Sequence, residues 1–386
     1  MAIPDLVDCD IELGPIRPPN EAYSLLVRVT RNCSWNRCEF CNIYKGQKFE
    51  LRKPEEVIDD IKKAKTVCDE IKNMAGENGY GDRLRELAAT LYNQYILNST
   101  VRNVALWIWA GQKSAFLQDA NTLIMRTPDL VQVITFLKQI FPKLDRITSY
   151  ARSKTALKKT VEELRELSQA GLSRLHIGLE SGSDLVLSYM QKGVTAEEHV
   201  IGGKKVKEAG ISLSEYIMPG LGGRKMSLDH VRGTADVLNQ IDPDFIRIRS
   251  LFVNQGMPLW EKVESGDFEV QTEDEVVEEL GGLIEKLEVN SEVKSDHIMN
   301  LLPDIEGKFP EAKAKCLDII HKYLSLPEQE RLNYKLGRRA GYYEHLDDLN
   351  DNSKYEKIEE AIKTLNSETS EGFEVVMQQL KRKYWI

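Results

Sequence analysis

The chain has 386 residues, of which 41% are hydrophobic and 29% are charged, as in ordinary globular proteins. Its formal net charge of −9 argues against a general nucleic-acid-binding protein, because contacts to a phosphate backbone need clustered Lys and Arg. The sequence shows neither an apolar run of the roughly 20 residues that span a membrane nor a secretory signal. We therefore expect a cytoplasmic protein that acts on a small molecule rather than on nucleic acid or at a membrane.

Six short apolar or β-branched segments alternate with amphipathic segments of helical length. The predicted strands are Tyr23–Thr30, Asn103–Ala110, Arg146–Ala151, Ser173–Leu179, Ile211–Met218 and Phe245–Ser250. The clearest predicted helices are Pro128–Phe141, Leu157–Ala170, Thr195–Ala209 and Ser227–Gln240. This alternation predicts an α/β fold whose parallel sheet curls into a partial (β/α)6 TIM-like barrel with a helical C-terminal extension.

The predicted organisation has four parts. An N-terminal segment, 1–22, precedes the partial barrel, 23–260, which contains a helical insertion at about 54–100. The strand pattern disappears after Trp260. Residues 261–348 are therefore predicted to form a helical cap, and residues 349–386 a helical tail.

Polar residues alternate with apolar ones along several predicted strands. Because successive side chains of a strand point to opposite faces, one polar set is predicted to face the barrel interior. This set comprises Thr148, Tyr150, Arg152, Arg174, His176, Glu180, Arg247 and Arg249. TIM-barrel interiors are usually filled with branched apolar residues, so a polar interior indicates a ligand cavity. Where no internal acid pairs with them, the arginines of this set favour an anionic substrate.

Cys33, Cys38 and Cys41 lie within nine residues directly after the first predicted strand, where active-site loops of such barrels occur. Three thiolates can each ligate one iron of a [4Fe–4S] cluster and leave the fourth iron open. A structural zinc site usually has four ligands, and no fourth Cys or His stands nearby. A zinc-binding, non-enzymatic module nevertheless stays as an alternative.

The cysteine segment resembles the motif of the radical S-adenosylmethionine superfamily, C-x3-C-x2-C with an aromatic residue before the last Cys. Here the spacing is C-x4-C-x2-C, and Phe40 is the aromatic residue. Three further segments, His176–Asp184, Lys192–Glu198 and Tyr216–Gly223, are similar to those of one subgroup. That subgroup includes the elongator catalytic subunit, methylthiotransferases and coproporphyrinogen-oxidase-like enzymes.

The resemblance, which covers about residues 24–260, implies an oxygen-sensitive iron–sulfur enzyme. In such enzymes a [4Fe–4S] cluster reductively cleaves S-adenosylmethionine to a 5′-deoxyadenosyl radical, which abstracts hydrogen from the substrate. The implied cofactors are the cluster and S-adenosylmethionine, and the implied electron donor is a protein such as flavodoxin or ferredoxin. The alternative reaction is tRNA modification as in methylthiotransferases, which normally carry an N-terminal three-cysteine domain and a C-terminal RNA-binding barrel; neither is visible here.

The resemblance also implies roles for single residues. Glu180 would bind the ribose hydroxyls, and Arg152 would pair with the methionine carboxylate. Phe40 and Met218 would flank the adenine. Gln112 is the nearest match to a Gly-Gly-Glu stretch that contacts the methionine amino group. The alternatives are a helix-capping role for Glu180 and a solvated loop position for Arg152.

Five residues are candidate substrate contacts: Arg174, His176, Arg249, His297 and Asn300. Two of them belong to the segment Ser295–Asn300, whose near-helical spacing could bring them over the barrel mouth. The alternative is that Ser295 or Asp296 caps the start of a helix.

Overall fold

A computed structural model of the chain describes residues 9–76, 82–94, 97–368 and 372–383. The strands are β1 (Leu25–Arg28), β2 (Thr30–Arg31), β3 (Glu50–Leu51), β4 (Ser114–Gln118), β5 (Arg146–Ala151), β6 (Leu172–Glu180), β7 (Ser212–Ile217), β8 (Phe245–Ile248), β9 (Glu292–Lys294) and β10 (Gly307–Lys308). Residues 1–8 of the predicted N-terminal segment lie outside this description, as do residues 369–371 and 384–386 of the predicted tail.

Helices separate most of the strands. They are α1 (Pro54–Met74), α2 (Asp82–Asn93), α3 (Ser99–Trp109), α4 (Thr127–Ile140), α5 (Ser153–Lys158), α6 (Val161–Ala170), α7 (Asp184–Tyr189), α8 (Ala196–Glu208), α9 (Ser227–Ile241), α10 (Pro258–Glu264), α11 (Glu273–Lys286), α12 (Lys313–Ser325), α13 (Glu328–Arg339), α14 (Asn352–Glu368) and α15 (Gly372–Lys383). In the described part of the chain, none of these helices is long and apolar enough to cross a membrane.

The chain divides into two compact units, and β6 and β7 each begin in the first and end in the second. The first unit comprises Met1–Asn36, Ile43–Ile177 and Ile201–Leu213, and the second comprises Arg37–Asn42, Gly178–Val200 and Ser214–Ile386. In the first unit β1, β4, β5 and β6 pair in parallel, with Leu25 opposite Ala115 and Thr148 opposite Arg174. Three residues of β1, Leu25 to Val27, are buried, as expected for a parallel strand covered on both faces.

In the second unit β7, β8 and β9 pair in parallel, and β10 pairs with β9 in the antiparallel sense. Parallel strands that alternate with helices confirm the predicted α/β class. The expectation that no strand follows Trp260 is wrong, because β9 and β10 lie beyond it. These strands have three and two residues and carry mainly Glu, Lys and Gly, so they leave no apolar alternation in the sequence.

The predicted second strand, Asn103–Ala110, is also wrong. These residues belong mainly to α3, whose first turn is capped by the Asn98 side chain, which accepts a hydrogen bond of 2.9 Å from the Val101 amide. Gly111 follows with φ of +93°, a conformation that favours glycine. A short apolar run fits a buried helix as well as a strand. The true second parallel strand is β4, and the helical insertion extends to Trp109.

The predicted domain limits are not tested by this division into units and stay predictions. Most predicted helices are confirmed within a few residues at their ends. Leu157–Ala170 instead divides into α5 and α6, because Thr160 starts a new helix. Its hydroxyl accepts a hydrogen bond from the Glu163 amide, and the Thr160 amide in turn donates one to the Glu163 carboxylate.

Candidate functional site

The loop that begins with Cys33 follows β1 and β2 in the first unit. Cys33 stands between two asparagines in the left-handed region, Asn32 with φ of +67° and Asn36 with φ of +50°. The turn points the Asn36 amide at the sulfur of Cys33, 3.4 Å away. The Asn36 side chain donates to the carbonyl of Tyr44, 2.5 Å away. The loop is thus held in a shape that offers a hydrogen-bond donor to the thiol.

The two residues after Cys33 contact residues that follow β4 and β5. Asn121 follows β4 and donates a 3.0 Å hydrogen bond to the hydroxyl of Ser34. Arg152 follows β5, and its guanidinium lies over the ring of Trp35, 4.9 Å from the centroid. The Arg152 amide also donates to Asn121, at 3.1 Å. Arg152 is therefore stacked against the cysteine loop, rather than being a solvated loop arginine.

Gln112 is not at this end of the strands. It lies between α3 and β4, before the strand starts, where its side-chain oxygen accepts a 3.8 Å hydrogen bond from the Cys68 thiol. Its predicted place at a strand end is wrong, because that prediction followed from the wrong assignment of the second strand. Asp119 and Asn121 are the polar residues that directly follow β4. The sequence signal that could have located them is the apolar run Ala115–Leu117 just before them, which is buried in the structure.

Asp119 is fully buried and joins the cysteine loop to β1 in the first unit. It accepts hydrogen bonds from the Tyr44 hydroxyl and, at 2.8 Å, from Arg28. Burial raises the pKa of Asp119, although Tyr44 and Arg28 oppose this change. Burial and the adjacent carboxyl together raise the pKa of Tyr44 far above its ordinary value. The carboxylate of Asp119 is therefore already hydrogen-bonded to Tyr44 and Arg28.

Cys38 and Cys41 are half-buried in the second unit, where they pack against an apolar group that we call the Phe40 cluster. Its buried members are Phe40, Val186, Met190, Met218, Leu221, Val253, Leu259 and Phe268. The backbone of Glu39 fixes this segment, since its amide donates to Met190 at 3.0 Å and its carbonyl accepts from Leu259 at 2.9 Å. Phe40 and Met218, predicted from distant parts of the sequence, thus lie in one cluster.

Glu180 ends β6 with φ of +63°, a left-handed conformation that is rare for a residue of this type. Its carboxylate lies 3.2 Å from the ammonium group of Lys192. That ammonium group also lies over the Phe40 ring, 5.6 Å from the centroid. Glycine at position 178 leaves the necessary space, because a Cβ there would lie 2.2 Å from the Glu180 carboxylate. Lys192 is a site residue to which sequence reasoning assigned no role.

Two residues of the segment Ser181–Asp184, which follows Glu180, have structural roles. Gly182 meets the backbone of α9, and a Cβ on Gly182 would lie 2.1 Å from the carbonyl oxygen of Gly233. Ser183 caps α7, since its hydroxyl accepts from the Val186 amide. The capping role considered for Glu180 therefore belongs to Ser183. The Met218 amide donates to the Glu180 carbonyl at 3.0 Å and joins the ends of β6 and β7.

Glu215 on β7 is fully buried, and in the described part of the chain neither of its carboxyl oxygens has a hydrogen-bond partner. Burial raises its pKa well above the ordinary value, and the negative charge of Glu180 adds to this effect against the opposing charge of Lys192. Glu215 is consequently a buried acid with a raised pKa near the Glu180–Lys192 pair. Sequence reasoning missed it, because a single Glu in an apolar strand carries no recognisable signal.

Two of the candidate substrate residues have internal partners in the first unit. His176 is buried, with Nε2 3.7 Å from the carboxylate of Glu21, and its ring packs against Tyr150. Burial would raise the pKa of Glu21, but His176 and a neighbouring arginine hold it below its ordinary value. Arg174 donates to the hydroxyl of Ser212 at 3.2 Å. These contacts connect both residues to the protein itself.

The segment Ser295–Asn300 is a loop after β9 and not the start of a helix, so neither Ser295 nor Asp296 is a helix cap. Asn300 uses its whole amide to fix the loop to the end of β8. Its oxygen accepts from the Ser250 amide at 2.9 Å, and its nitrogen donates to the Ile248 carbonyl at 2.7 Å. This geometry gives Asn300 a structural role.

His297 is held beside Arg249 by this attachment. Its Nδ1 accepts a 3.2 Å hydrogen bond from the Met299 amide, so the neutral ring carries its proton on Nε2. Burial, with the charges of Arg249 and Arg339, lowers the pKa of His297 to about 3. The charge of Arg247, by contrast, is paired with Asp296. The ring of His297 is therefore neutral and lies close enough to Arg249 to be affected by its charge.

The cysteines of the chain fit the role of cluster ligands in their chemistry. All six are free thiols, and Cys33, Cys38 and Cys41 are half-buried, whereas Cys68 and Cys316 are buried. Partial exposure is required of a thiol that must bind an incoming group. Within the described ranges, no three His, Cys, Asp or Glu side chains are arranged around a single metal ion. Cys38 and Cys41 lie against the apolar Phe40 cluster, and thiol ligands suit iron and sulfide better than an ion that prefers oxygen ligands.

Residues 110–236 match the family model of the Radical SAM superfamily. The chain is also similar to two curated tRNA uridine(34) acetyltransferases. That from Methanocaldococcus jannaschii is 24% identical over 119 residues, which are 30% of this chain and 22% of the relative. That from Methanocaldococcus infernus is 22% identical over 165 residues, 42% and 30% respectively. The chain thus spans less than a third of the length of these relatives.

A search of solved structures gives, among others, coproporphyrinogen III oxidase from Escherichia coli. Its sequence identity is 14% and its TM-score is 0.44, over 68% of this chain and 51% of that chain.

Proposed function

The chain carries a Radical SAM superfamily domain, and we propose that Cys33, Cys38 and Cys41 hold a [4Fe–4S] cluster with which it cleaves S-adenosylmethionine. The observation that carries this proposal is the loop of three half-buried thiols, two of which pack on the Phe40 cluster. When bound, the cluster and S-adenosylmethionine supply reductive cleavage of a C–S bond and a 5′-deoxyadenosyl radical. The residues of the chain bind and orient the cofactor and keep water away from it.

The adenosyl group is assigned to the second unit. Glu180 would accept hydrogen bonds from the ribose hydroxyls, because its strained backbone and its pairing with Lys192 fix the carboxylate at the end of β6. Phe40 and Met218 would flank the adenine with apolar surface. Arg152 would pair with the methionine carboxylate through its guanidinium fork. An amino-group contact for Gln112 is not proposed, because Gln112 precedes β4.

The substrate is proposed to carry an anionic group. Arg249 places a positive charge near the Nε2–H group of His297, and the pKa of His297 keeps its ring neutral at physiological pH. A carboxylate or phosphate matches this set. Asn300 and Arg247 would support the loop rather than bind substrate, because their side chains bond to the protein. The electron donor would be a small redox protein such as flavodoxin or ferredoxin.

A tRNA is the second candidate substrate. Both curated relatives are tRNA-modifying enzymes, although the chain covers only 22% and 30% of their length. The net charge of −9 favours a small molecule. Electrophoretic mobility shift with tRNA at low salt distinguishes the two: a shift that disappears at high salt supports tRNA, and no shift supports a small anionic substrate.

The proposed function is tested by anaerobic reconstitution with iron and sulfide. Wild-type protein is expected to bind iron and sulfide, to show thiolate-to-iron absorption, and to form 5′-deoxyadenosine with a reductant. Cys38→Ala is expected to lose the absorption and the product. Cys68→Ala, which removes a buried thiol outside the loop, is the matched control and is expected to keep both. An iron-free wild type, or stoichiometric zinc in its place, would contradict the proposal.

A further inference from the structure

Three buried polar side chains form a continuous set of contacts in the second unit. His230 on α9 lies with Nδ1 2.9 Å from the hydroxyl of Ser181 and with Nε2 3.6 Å from the carboxylate of Glu279 on α11. All three are more than nine-tenths buried. A buried polar group is costly unless it is hydrogen-bonded, so a set of this kind persists only where each member is satisfied by the others.

Serine, histidine and a carboxylate in contact are also the residues of hydrolytic triads. The geometry does not fit that role, because the Ser181 side chain is fully buried and its oxygen already accepts a 3.1 Å hydrogen bond from the Ser183 amide. Burial lowers the pKa of His230, although the charge of Glu279 opposes this change. The set is therefore a structural connection and not a nucleophile with its base.

This connection ends on the backbone segments that carry two proposed cofactor contacts. Ser181 directly follows Glu180 at the end of β6. Glu279, whose carboxylate lies 3.6 Å from Nε2 of His230, contacts the turn that follows Met218 at the end of β7.

Glu279 extends the connection from α11 to the turn after β7. Its carboxylate accepts the amide of Gly220 at 2.7 Å and a hydrogen bond from the hydroxyl of Ser227. The imidazole of His230 thus contacts the residue after β6 directly, and through Glu279 it is linked to the turn after β7.

We propose that His230 is a positioning residue that sets the separation of Glu180 and Met218, and thereby the fit of the adenosyl group of S-adenosylmethionine. This inference rests on the proposed function, because it assumes that Glu180 and Met218 contact the cofactor. His230 itself is buried and touches no ligand. Its effect is on cofactor affinity, and the thiols of the cysteine loop are not part of the connection.

The test measures iron content and the Kd of S-adenosylmethionine on reconstituted protein, below its unfolding temperature. His230→Asn keeps an amide near the place of Nδ1, His230→Gln keeps one near the place of Nε2, and Ser181→Ala removes a single hydroxyl with little change in volume. We expect unchanged iron content and a Kd raised about tenfold in each variant, the equivalent of one lost hydrogen bond. His321→Gln, on the exposed surface of α12, is the matched control and is expected to keep the wild-type Kd.

The double variant Ser181→Ala/His230→Gln is expected to bind about as weakly as His230→Gln alone, because both changes break the contact between Ser181 and Nδ1 of His230. Wild-type affinity in Ser181→Ala and in either His230 variant would overturn the inference and leave the proposed function standing. A lower unfolding temperature with unchanged Kd would also overturn it, since His230 would then only stabilise the fold. Iron-loaded wild-type protein that binds no S-adenosylmethionine would refute the proposed function, and the inference with it.

Discussion

The ammonium group of Lys192 lies 3.2 Å from the carboxylate of Glu180, and the backbone of Glu180 is strained. A non-glycine residue in the left-handed region costs on the order of 1 kcal/mol, which the surrounding contacts must offset. The strain occurs at the residue to which we assign the ribose hydroxyls.

Replacing Glu180 by Gly is expected to relieve this strain and to weaken the cofactor site. We expect an unfolding free energy equal to or about 1 kcal/mol above that of the wild type, since glycine adopts the conformation freely. The Kd of S-adenosylmethionine should rise roughly 10- to 100-fold, as for lost hydrogen bonds to a charged group. Urea unfolding and equilibrium dialysis measure the two. Glu180→Gln, which keeps the side-chain length, should bind better than Glu180→Gly; equal affinity of all three proteins would contradict the role.

Glu215 makes folding stability depend on pH. Its pKa is raised in the folded protein above the ordinary value of 4.5, so its contribution is fully present below about pH 4.5 and is lost as the pH rises through the folded-state pKa. Glu215→Gln stays neutral, and its stability relative to the wild type should therefore increase with pH above 4.5. Urea unfolding at several pH values measures this difference. Glu264→Gln, at an exposed position on α10, should show none; a Glu215→Gln curve parallel to the wild type would show that Glu215 is ionised.

His297 should respond to the loss of Arg249. Burial and then the charge of Arg249 hold the pKa of His297 at about 3, against an ordinary value of 6.5. Arg249→Gln removes one cause, so this pKa is expected to rise while burial keeps it below 6.5. Titration of ¹³C-labelled histidine by NMR measures it, with His297→Gln to assign the resonance. A His297 pKa that does not change in Arg249→Gln would show that the two groups are too far apart to bind one anion.

Arg339 is expected to be important for stability, because it connects α13 to the loop that carries His297. It donates to the carbonyls of Ile298 and Met299 at 3.1 and 2.9 Å and pairs with Glu273. Arg339→Met removes a buried guanidinium and leaves the half-buried Glu273 carboxylate without its main partner, so unfolding should become easier by about 3–5 kcal/mol. Guanidinium unfolding measures the change.

The control for this prediction is Lys322→Met, which breaks an exposed pair with Asp347 and should cost at most about 1 kcal/mol. The pH dependence gives a second check. The pKa of Glu273 is lowered to about 2 by Arg339 and nearby lysines against the effect of burial, so this stabilisation is present above pH 4.5 and is lost as the pH falls toward 2. An Arg339→Met protein as stable as the wild type would contradict both expectations.

Much of the strand and helix alternation could be predicted because buried parallel strands are short, apolar and flanked by helices. The second strand could not, because the run Val104–Ile108 is apolar on all sides and satisfies a buried helix equally well. That error moved one candidate residue, Gln112, to the wrong end of a strand. Strands β9 and β10 were missed because strands of three and two residues are too short to show an alternation of apolar and polar residues.

The candidate site was predictable where a motif dictates it. Phe40, Glu180 and Met218 come from separate segments, and the structure places them in one unit of the fold. Lys192 and Glu215 had no assigned role, because their position depends on which side chains the strand ends bring together. His297 and Asn300 were taken as a pair, but the amide of Asn300 is used by the loop itself. A single sequence cannot show which polar atoms are already bonded.

The contact between Gly182 and Gly233 limits which sequences this fold tolerates. The two main chains touch directly, and a methyl group at either position would overlap the other backbone. Since neither residue can become smaller, a side chain gained at one position has no compensating change at the other. Only a displacement of α9 would make room for it, and that helix also carries His230. Alanine at position 233 should therefore displace the backbone after β6. This would occur although position 233 lies within a helix, where alanine is otherwise the most favourable residue.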